Sequence, residues 1–280
     1  TFVHGMILYG DNGVCEMRNV DVVFPVLHGK YGEDGTVQGL LELAGIPFVG
    51  AGTTSSAACM DKAITKHIIE TTYVKQADYY LTDRFSFASD PQGILKEIEE
   101  HFQGTYPLFV KPANAGSSVG ISKAKNGLDL FNAIRVAAEE DHKVLIEKAI
   151  SGREIEVAVL GNRHPRASLV GEILAANEFY DYDAKYINTE SKTRILDDVS
   201  EEKQEEIREA ALTVYQAMGC RGLARVDFFL DEEENVIFNE INTLPGFTKI
   251  SMYPKLWEAT ELPYHELLDT LIALAADEME

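Results

Sequence analysis

The chain has 280 residues, 45% of them hydrophobic and 9% aromatic, which describes an ordinary globular protein long enough for about two domains. A formal net charge of -21 and a pI near 4.7 argue against nucleic acid and anionic membranes as partners, since both would repel the surface; a local pocket can still be basic. The three cysteines, Cys15, Cys59 and Cys220, are far apart and match no metal spacing, so reduced thiols and a cytoplasmic location are expected, with no membrane span.

Residues 21–27, DVVFPVL, form a continuous apolar run, as expected of a strand buried on both faces of a parallel sheet. Ligands of such sheets gather at the carboxyl ends of strands, where His28 stands at the head of a glycine-rich loop ending at Gly35. A helix over 36–44 stopped by Gly45 and a short strand over 46–49 are expected next. One helix is predicted over 53–72, with Lys62 inside it; from pattern alone such a lysine is a solvated charge. A helix over 90–102 starts with Pro91 at a first-turn position. A strand over 107–110 then leads into KPANAGSSVG, where Lys111 precedes a glycine-serine loop whose Ser117, Ser118 and backbone amides can cradle phosphates. The order differs from a P-loop, in which the lysine follows the last glycine.

A helix over 128–140 and strands over 144–147 and 155–160 follow. The segment joining those strands exposes backbone groups able to read an adenine edge, with Glu147 and Glu154 as candidate acids for the nucleoside. Residues 175–199, with FYDYDAKY at 179–186, are long for a connection and rich in aromatics, which favours a lid. A helix over 200–218 precedes the hairpin in 223–249, and a tail helix over 264–276 closes the chain.

A four-residue turn in that hairpin sets Asp227 opposite Glu240, Arg225 opposite Asn242 and Phe229 opposite Phe238, all on one face. Val226, Phe228, Leu230, Ile237 and Ile241 form the apolar face. Two facing carboxylates repel unless a cation lies between them, and the donors Asp227, Glu240 and Asn242 offer oxygen, so the cation is Mg²⁺ or Mn²⁺. Magnesium held by one or two carboxylates commonly completes its shell with water and phosphate, which points to a nucleotide.

The motifs HGKYGEDG at 28–35, MDK at 60–62, VKPANAGSSVG at 110–120, IEKAISGRE at 146–154, FYDYDAKY at 179–186, Arg225–Asp227 and NEINTLPG at 239–246 resemble, in order, those of the ATP-grasp ligases and, within them, the D-alanine–D-alanine ligase family. The resemblance implies an α/β (α+β) ATP-grasp fold with a partial N-terminal parallel-sheet domain (1–52), a central subdomain (53–147) and a C-terminal subdomain (148–280) carrying the lid and the hairpin. It implies ATP-dependent joining of two D-alanines through an acyl phosphate, for peptidoglycan precursor synthesis, by a cytoplasmic homodimer acting on small molecules.

Carried over by position, Lys62, Lys111 and Ser118 bind the phosphates, Glu147, Lys148, Ala149 and Ile150 the adenine, and Glu154 the ribose. Asp227, Glu240 and Asn242 hold a pair of magnesium ions. Arg225 and the Gly246 backbone steady the tetrahedral intermediate, and His28 helps hold the first D-alanine. Ser117, Lys185 and Tyr186 belong to the lid closure, Ser251 and the Met252 amide bind the second carboxylate, and the Met252 side chain is expected as an apolar wall for a methyl group. The departure is at residues 1–20, which lack the family's opening strand, glycine-rich loop and ammonium-binding glutamate, so further chain is expected upstream.

Overall fold

The computed structural model describes residues 5–9, 15–116, 119–174, 192–248 and 251–277. Three sheets organise them. Strands β1 (Gly5–Tyr9) and β2 (Cys15–Asn19) pair antiparallel. The run at 21–27 is not a strand: Val23 makes a single parallel bridge to Phe48, while Val26 and Leu27 are half exposed. Pro25 has no amide to offer a ladder, so the pairing does not continue beyond Val23. Helix α1 (Thr36–Ala44) stops at Gly45, whose φ of 65° forms the left-handed cap.

The single helix expected over 53–72 is two: α2 (Thr53–Met60) and α3 (Lys62–Ile69). Asp61 breaks them, adopting an extended backbone and accepting the Ala63 and Ile64 amides as an N-cap. Lys62 therefore sits in the first turn of α3.

A four-stranded antiparallel sheet, in the order β4 (Tyr79–Asp83), β7 (Lys143–Lys148), β5 (Leu108–Pro112), β6 (Ser122–Ala124), comes next. Helices α4 (Arg84–Ser89), α5 (Pro91–His101) and α6 (Gly127–Glu140) cover one of its faces, burying Leu108, Val110, Val144 and Ile146 with Phe87, Ile98 and Ile134. The alternation of a strand turns Lys111 and Glu147 to the other face. Helix α4 had no sequence expectation; Asp83 caps it through the Phe85 and Ser86 amides.

The six-stranded sheet runs β10 (Lys192–Ile195), β9 (Arg166–Leu174), β8 (Gly152–Leu160), β11 (Leu223–Asp231), β12 (Val236–Asn242), β3 (Lys75–Gln76), antiparallel except for the last pair. Helix α7 (Glu201–Ala217) packs on one face with Val157, Val159, Val226 and Phe228, and Cys59 and Ile69 of the α2–α3 segment join that same core. Helices α8 (Met252–Ala259) and α9 (Tyr264–Ala276) pack on the other with Ala158, Leu160 and Leu223. A sheet covered on both faces has continuous apolar strands, which is why β8 reads IEVAVL. Strand β10 takes up part of the stretch expected as a lid, and 196–199 lead from it to α7; residues 175–191 lie outside the described residues.

Candidate active site

The hairpin β11–β12 places Asp227 opposite Glu240 and Arg225 opposite Asn242, as the sequence predicts, but a bulge between these pairs and the turn sets Phe228 against Phe238 and Phe229 against Ile237. Asn239 is the extra residue on β12, and it reverses the alternation below it: Val236 and Phe238 enter the core, and Ile237 does not. Bulges re-aim side chains next to working sites, and this one leaves Asn239, Glu240 and Asn242 pointing toward the cleft side of the sheet.

Asp227 also pairs in register with Glu156 of β8, so three carboxylates cross three neighbouring strands. Arg225 is inserted among them, bonding both Asp227 oxygens at 2.7 Å and approaching Glu156 at 3.2 Å. Burial would lower the Arg225 pKa, but Asp227 and Glu156 hold it well above its ordinary value, so the guanidinium is permanently charged. Asn242 donates to Asp227 at 3.1 Å. Among the described residues no group of three or more His, Cys, Asp or Glu side chains is arranged to hold a metal; the donor set here is two acids and an amide oxygen, which suits a hard cation.

Facing the hairpin is the lysine side of the cleft. Lys62 lies 3.8 Å from Glu240 and donates to the Ala115 carbonyl at 3.2 Å. Lys111 reaches Asn239 at 3.5 Å and Glu147 at 2.6 Å. Lys66, which no sequence pattern singled out, holds the other Glu147 oxygen at 2.6 Å. Burial opposes the charge on Glu147, but Lys111 and Lys66 outweigh it and bring the carboxyl down to about 2. For Lys111 burial pulls the same way, against charge, and Glu147 reverses it, raising the amine; Glu240 and Glu154 contribute to the same field. Lys66 was legible only as one helical turn beyond Lys62.

Two loops close over this floor. Gly116 approaches so near that a Cβ there would stand 3.2 Å from the Gly29 Cα, a tight contact that the second loop would have to yield to by a few tenths of an ångström. Glu33 accepts the Gly29 amide at 2.5 Å and feels burial first, then His28, Glu240 and Arg225, with its carboxyl raised overall. His28 itself is exposed at the rim. At the end of β7, the Lys148 and Ala149 amides already bond the Asp78 and Pro107 carbonyls, so those two amides are engaged within the protein. Glu154 lies within β8. Ser117, Ser118, Lys185 and Tyr186 lie outside the described residues.

In the loop after β12, Gly246 lies against the Ser251 hydroxyl, 2.8 Å from where a Cβ would be, and that hydroxyl accepts the Thr248 amide at 3.0 Å. Met252 corrects the expectation of an apolar wall. Its side chain is buried in the core with Tyr253, Leu256 and Trp257, over Gly171, because it opens α8 on the face that packs against the sheet.

A sequence profile described as the D-ala D-ala ligase C-terminus matches residues 68–273, and one described as the D-ala D-ala ligase N-terminus matches residues 7–51. The chain belongs to the D-alanine–D-alanine ligase family. It is 54% identical over 259 residues to D-alanine–D-alanine ligase B of Clostridium tetani, covering 92% of this chain and 72% of that protein. The D-alanine–D-alanine ligase of Acetivibrio thermocellus is 55% identical, with 92% and 68% covered. Among solved structures, the D-alanine–D-alanine ligase of Coxiella burnetii superposes with a TM-score of 0.83 at 38% identity, covering 98% of this chain and 74% of that one. The VanG D-Ala:D-Ser ligase of Enterococcus faecalis gives 0.82 at 42%, with 93% and 74% covered. The ATP-grasp architecture expected from the motifs is therefore the fold of this family, two sheets facing each other across the cleft just described.

Proposed function

We propose that the chain joins two D-alanines at the expense of ATP, yielding D-alanyl-D-alanine for peptidoglycan precursors. The observation that carries this reading is the pairing across the cleft: lysines from α3 and β5 reach Glu240 and Asn239 of the hairpin, at 3.8 and 3.5 Å, so a cationic wall faces an acidic one. A triphosphate fits the first wall and a divalent cation the second. Lys62, in the first turn of α3 where the helix dipole also favours anions, and Lys111 bind the phosphates. Asp227, Glu240 and Asn242 are the residues that would hold magnesium, which neutralises phosphate charge when bound.

The γ-phosphate passes to the carboxylate of the first D-alanine, and the amine of the second attacks the acyl phosphate and expels inorganic phosphate. Arg225, held rigid by Asp227 and Glu156, presents a fixed positive charge where the tetrahedral oxyanion develops, with the Gly246 amide beside it. Ser251 and the Met252 amide, at the start of α8, take the second carboxylate, and His28 with Glu33 lines the side of the first substrate. The nucleoside lies along Glu147–Ile150 and Glu154. We assign 1–52, 53–147 and 148–280 as substrate, central and C-terminal units, and a homodimer in the cytoplasm as the working form.

Phosphate release from ATP with magnesium and D-alanine, together with recovery of D-alanyl-D-alanine, tests the reading. A product in which D-serine or D-lactate replaces the second D-alanine in an equimolar competition would reassign the second site; ATP turnover without any dipeptide would overturn the ligase reading.

A further inference from the structure

Lys66 is 2% exposed, and a lysine that deep is rare unless its charge is matched. It extends from α3 beneath the cleft, its amine 2.6 Å from Glu147 Oε1, 3.4 Å from the Ala77 carbonyl and 5.0 Å from the centroid of the Tyr79 ring. Its own carbonyl accepts from the Gln76 amide group at 3.0 Å, so backbone and side chain are both held. The second oxygen of Glu147 belongs to Lys111, also at 2.6 Å. Each oxygen of one buried carboxylate is thus gripped by a different lysine, and the two lysines differ in what else they touch. Lys66 is enclosed by Ala77, Tyr79 and Glu147, whereas Lys111 reaches across to Asn239 on the hairpin.

We propose that Lys66 is a positioning residue: it fixes the Glu147 carboxylate and, through it, aims the Lys111 amine into the cleft. The inference rests on the reading of the cleft as a nucleotide site. Without Lys66, Glu147 keeps a single cationic partner, and the carboxylate turns wholly onto Lys111, drawing its amine away from Asn239 and from an incoming phosphate. Lys66 therefore acts on nucleotide affinity without touching the nucleotide, and its effect travels only through Glu147.

That last property separates positioning from packing. Binding of magnesium ATP is measured by calorimetry for the wild type, Lys66→Met, Lys66→Arg, Glu147→Gln and the double variant Lys66→Met/Glu147→Gln, at a temperature where circular dichroism shows each folded. Lys66→Met is expected to weaken ATP about tenfold or more, the scale of one charged hydrogen bond. Lys66→Arg, which keeps the cation, recovers most of that loss. In the Glu147→Gln background, Lys66→Met changes affinity by no more than about twofold, because the route of its effect is already cut.

Wild-type affinity in Lys66→Met overturns the proposal, as does a loss of equal size in both backgrounds, which means general loosening. Should Lys66→Met fail to fold, the comparison of Glu147→Gln with the double variant, and of the wild type with Lys66→Arg, decides it by the same criteria. A wild-type chain that binds no ATP overturns the nucleotide reading itself, whereas binding that ignores Lys66 overturns only the positioning role.

Discussion

The two walls of the cleft handle buried charge in opposite ways. On the four-stranded sheet one carboxylate, Glu147, has two lysines within 2.6 Å, so its negative charge is answered inside the protein. On the hairpin, Asp227, Glu240 and Glu156 gather around Arg225 and Lys62, and acid is in excess. A closed network serves stability, and an open one is left for a ligand. The difference locates where the molecule gives up stability for function, and each wall answers mutation accordingly.

The largest effect belongs to the acidic wall. Glu240→Gln removes a donor for the cation and is expected to lower phosphate release by about 10²–10³-fold, the cost of losing one preorganised charge in a transfer site. Stability should hold or rise slightly, since a carboxylate facing Asp227 is relieved. Turnover and thermal unfolding measured on the same preparation check both halves; a variant that loses stability along with activity would place Glu240 in the closed network instead.

Glu147 should respond in the reverse sense. Its folded pKa of about 2 lies below the ordinary 4.5, so ionised Glu147 contributes stability that is fully present above about pH 4.5 and is lost as pH falls toward 2. The linked amount is about 3 kcal/mol. Glu147→Gln should cost about 3 kcal/mol at pH 7, by leaving two lysines without their carboxylate, and should flatten the wild-type decline between pH 4.5 and 3. Urea unfolding of both proteins across that range is the measurement. A parallel decline in the variant would assign the acid sensitivity to other carboxylates.

Much of this contrast was legible in the sequence, and the reasons for the rest are physical. The facing of Asp227 and Glu240 was reached by counting from a four-residue turn between Asp231 and Val236, but beside the turn Val236 pairs with Leu230, and the bulge at Asn239 supplies the one residue that restores the expected pairing. Counting failed at Phe229, since a bulge adds a residue without any mark in the local pattern. Lys111 and Glu147 were found singly through the motifs around them; that they share a bond depends on the pairing of β5 with β7, with the 30 residues of 113–142, β6 and α6 among them, between those strands. Lys66 stayed invisible because a buried lysine and a surface lysine look alike in a helix. Met252 was misplaced because its role was carried over by position with no element assigned to its stretch, whereas it begins a helix packed on the sheet.

A third network, more open to solvent, sharpens the comparison. Glu172 takes both Arg153 and Arg194, each of which also bonds Asp198, so β8, β9 and β10 are tied together. Hydrogen bonds from Arg153, then Arg194, outweigh burial and lower the Glu172 carboxyl. Because both arginines remain about a third exposed, water replaces much of what is lost, and Glu172→Gln should cost only about 1–2 kcal/mol in thermal unfolding. A loss matching that of Glu147→Gln would mean that geometry outweighs burial in setting the worth of these pairs.

The smallest effect is expected where a helix end, not a network, carries the site. Asp61 accepts the Ala63 and Ile64 amides at 3.1 and 3.2 Å and also pairs with Lys143, so two separate interactions meet on one side chain. The cap holds the first turn of α3, and with it Lys62, in place. Lys143 is 30% exposed, so its ion pair is weakened by solvent, while the cap bonds are not easily replaced by water once α3 is packed. Asp61→Ala should therefore cost about 1 kcal/mol, and Asp61→Asn, which caps as well but carries no charge, should stay within a few tenths of the wild type. Thermal unfolding of the two variants separates the contributions: if asparagine costs as much as alanine, the bond to Lys143 holds this end of the helix, and the lysine wall depends on charge at its base as well as at its face.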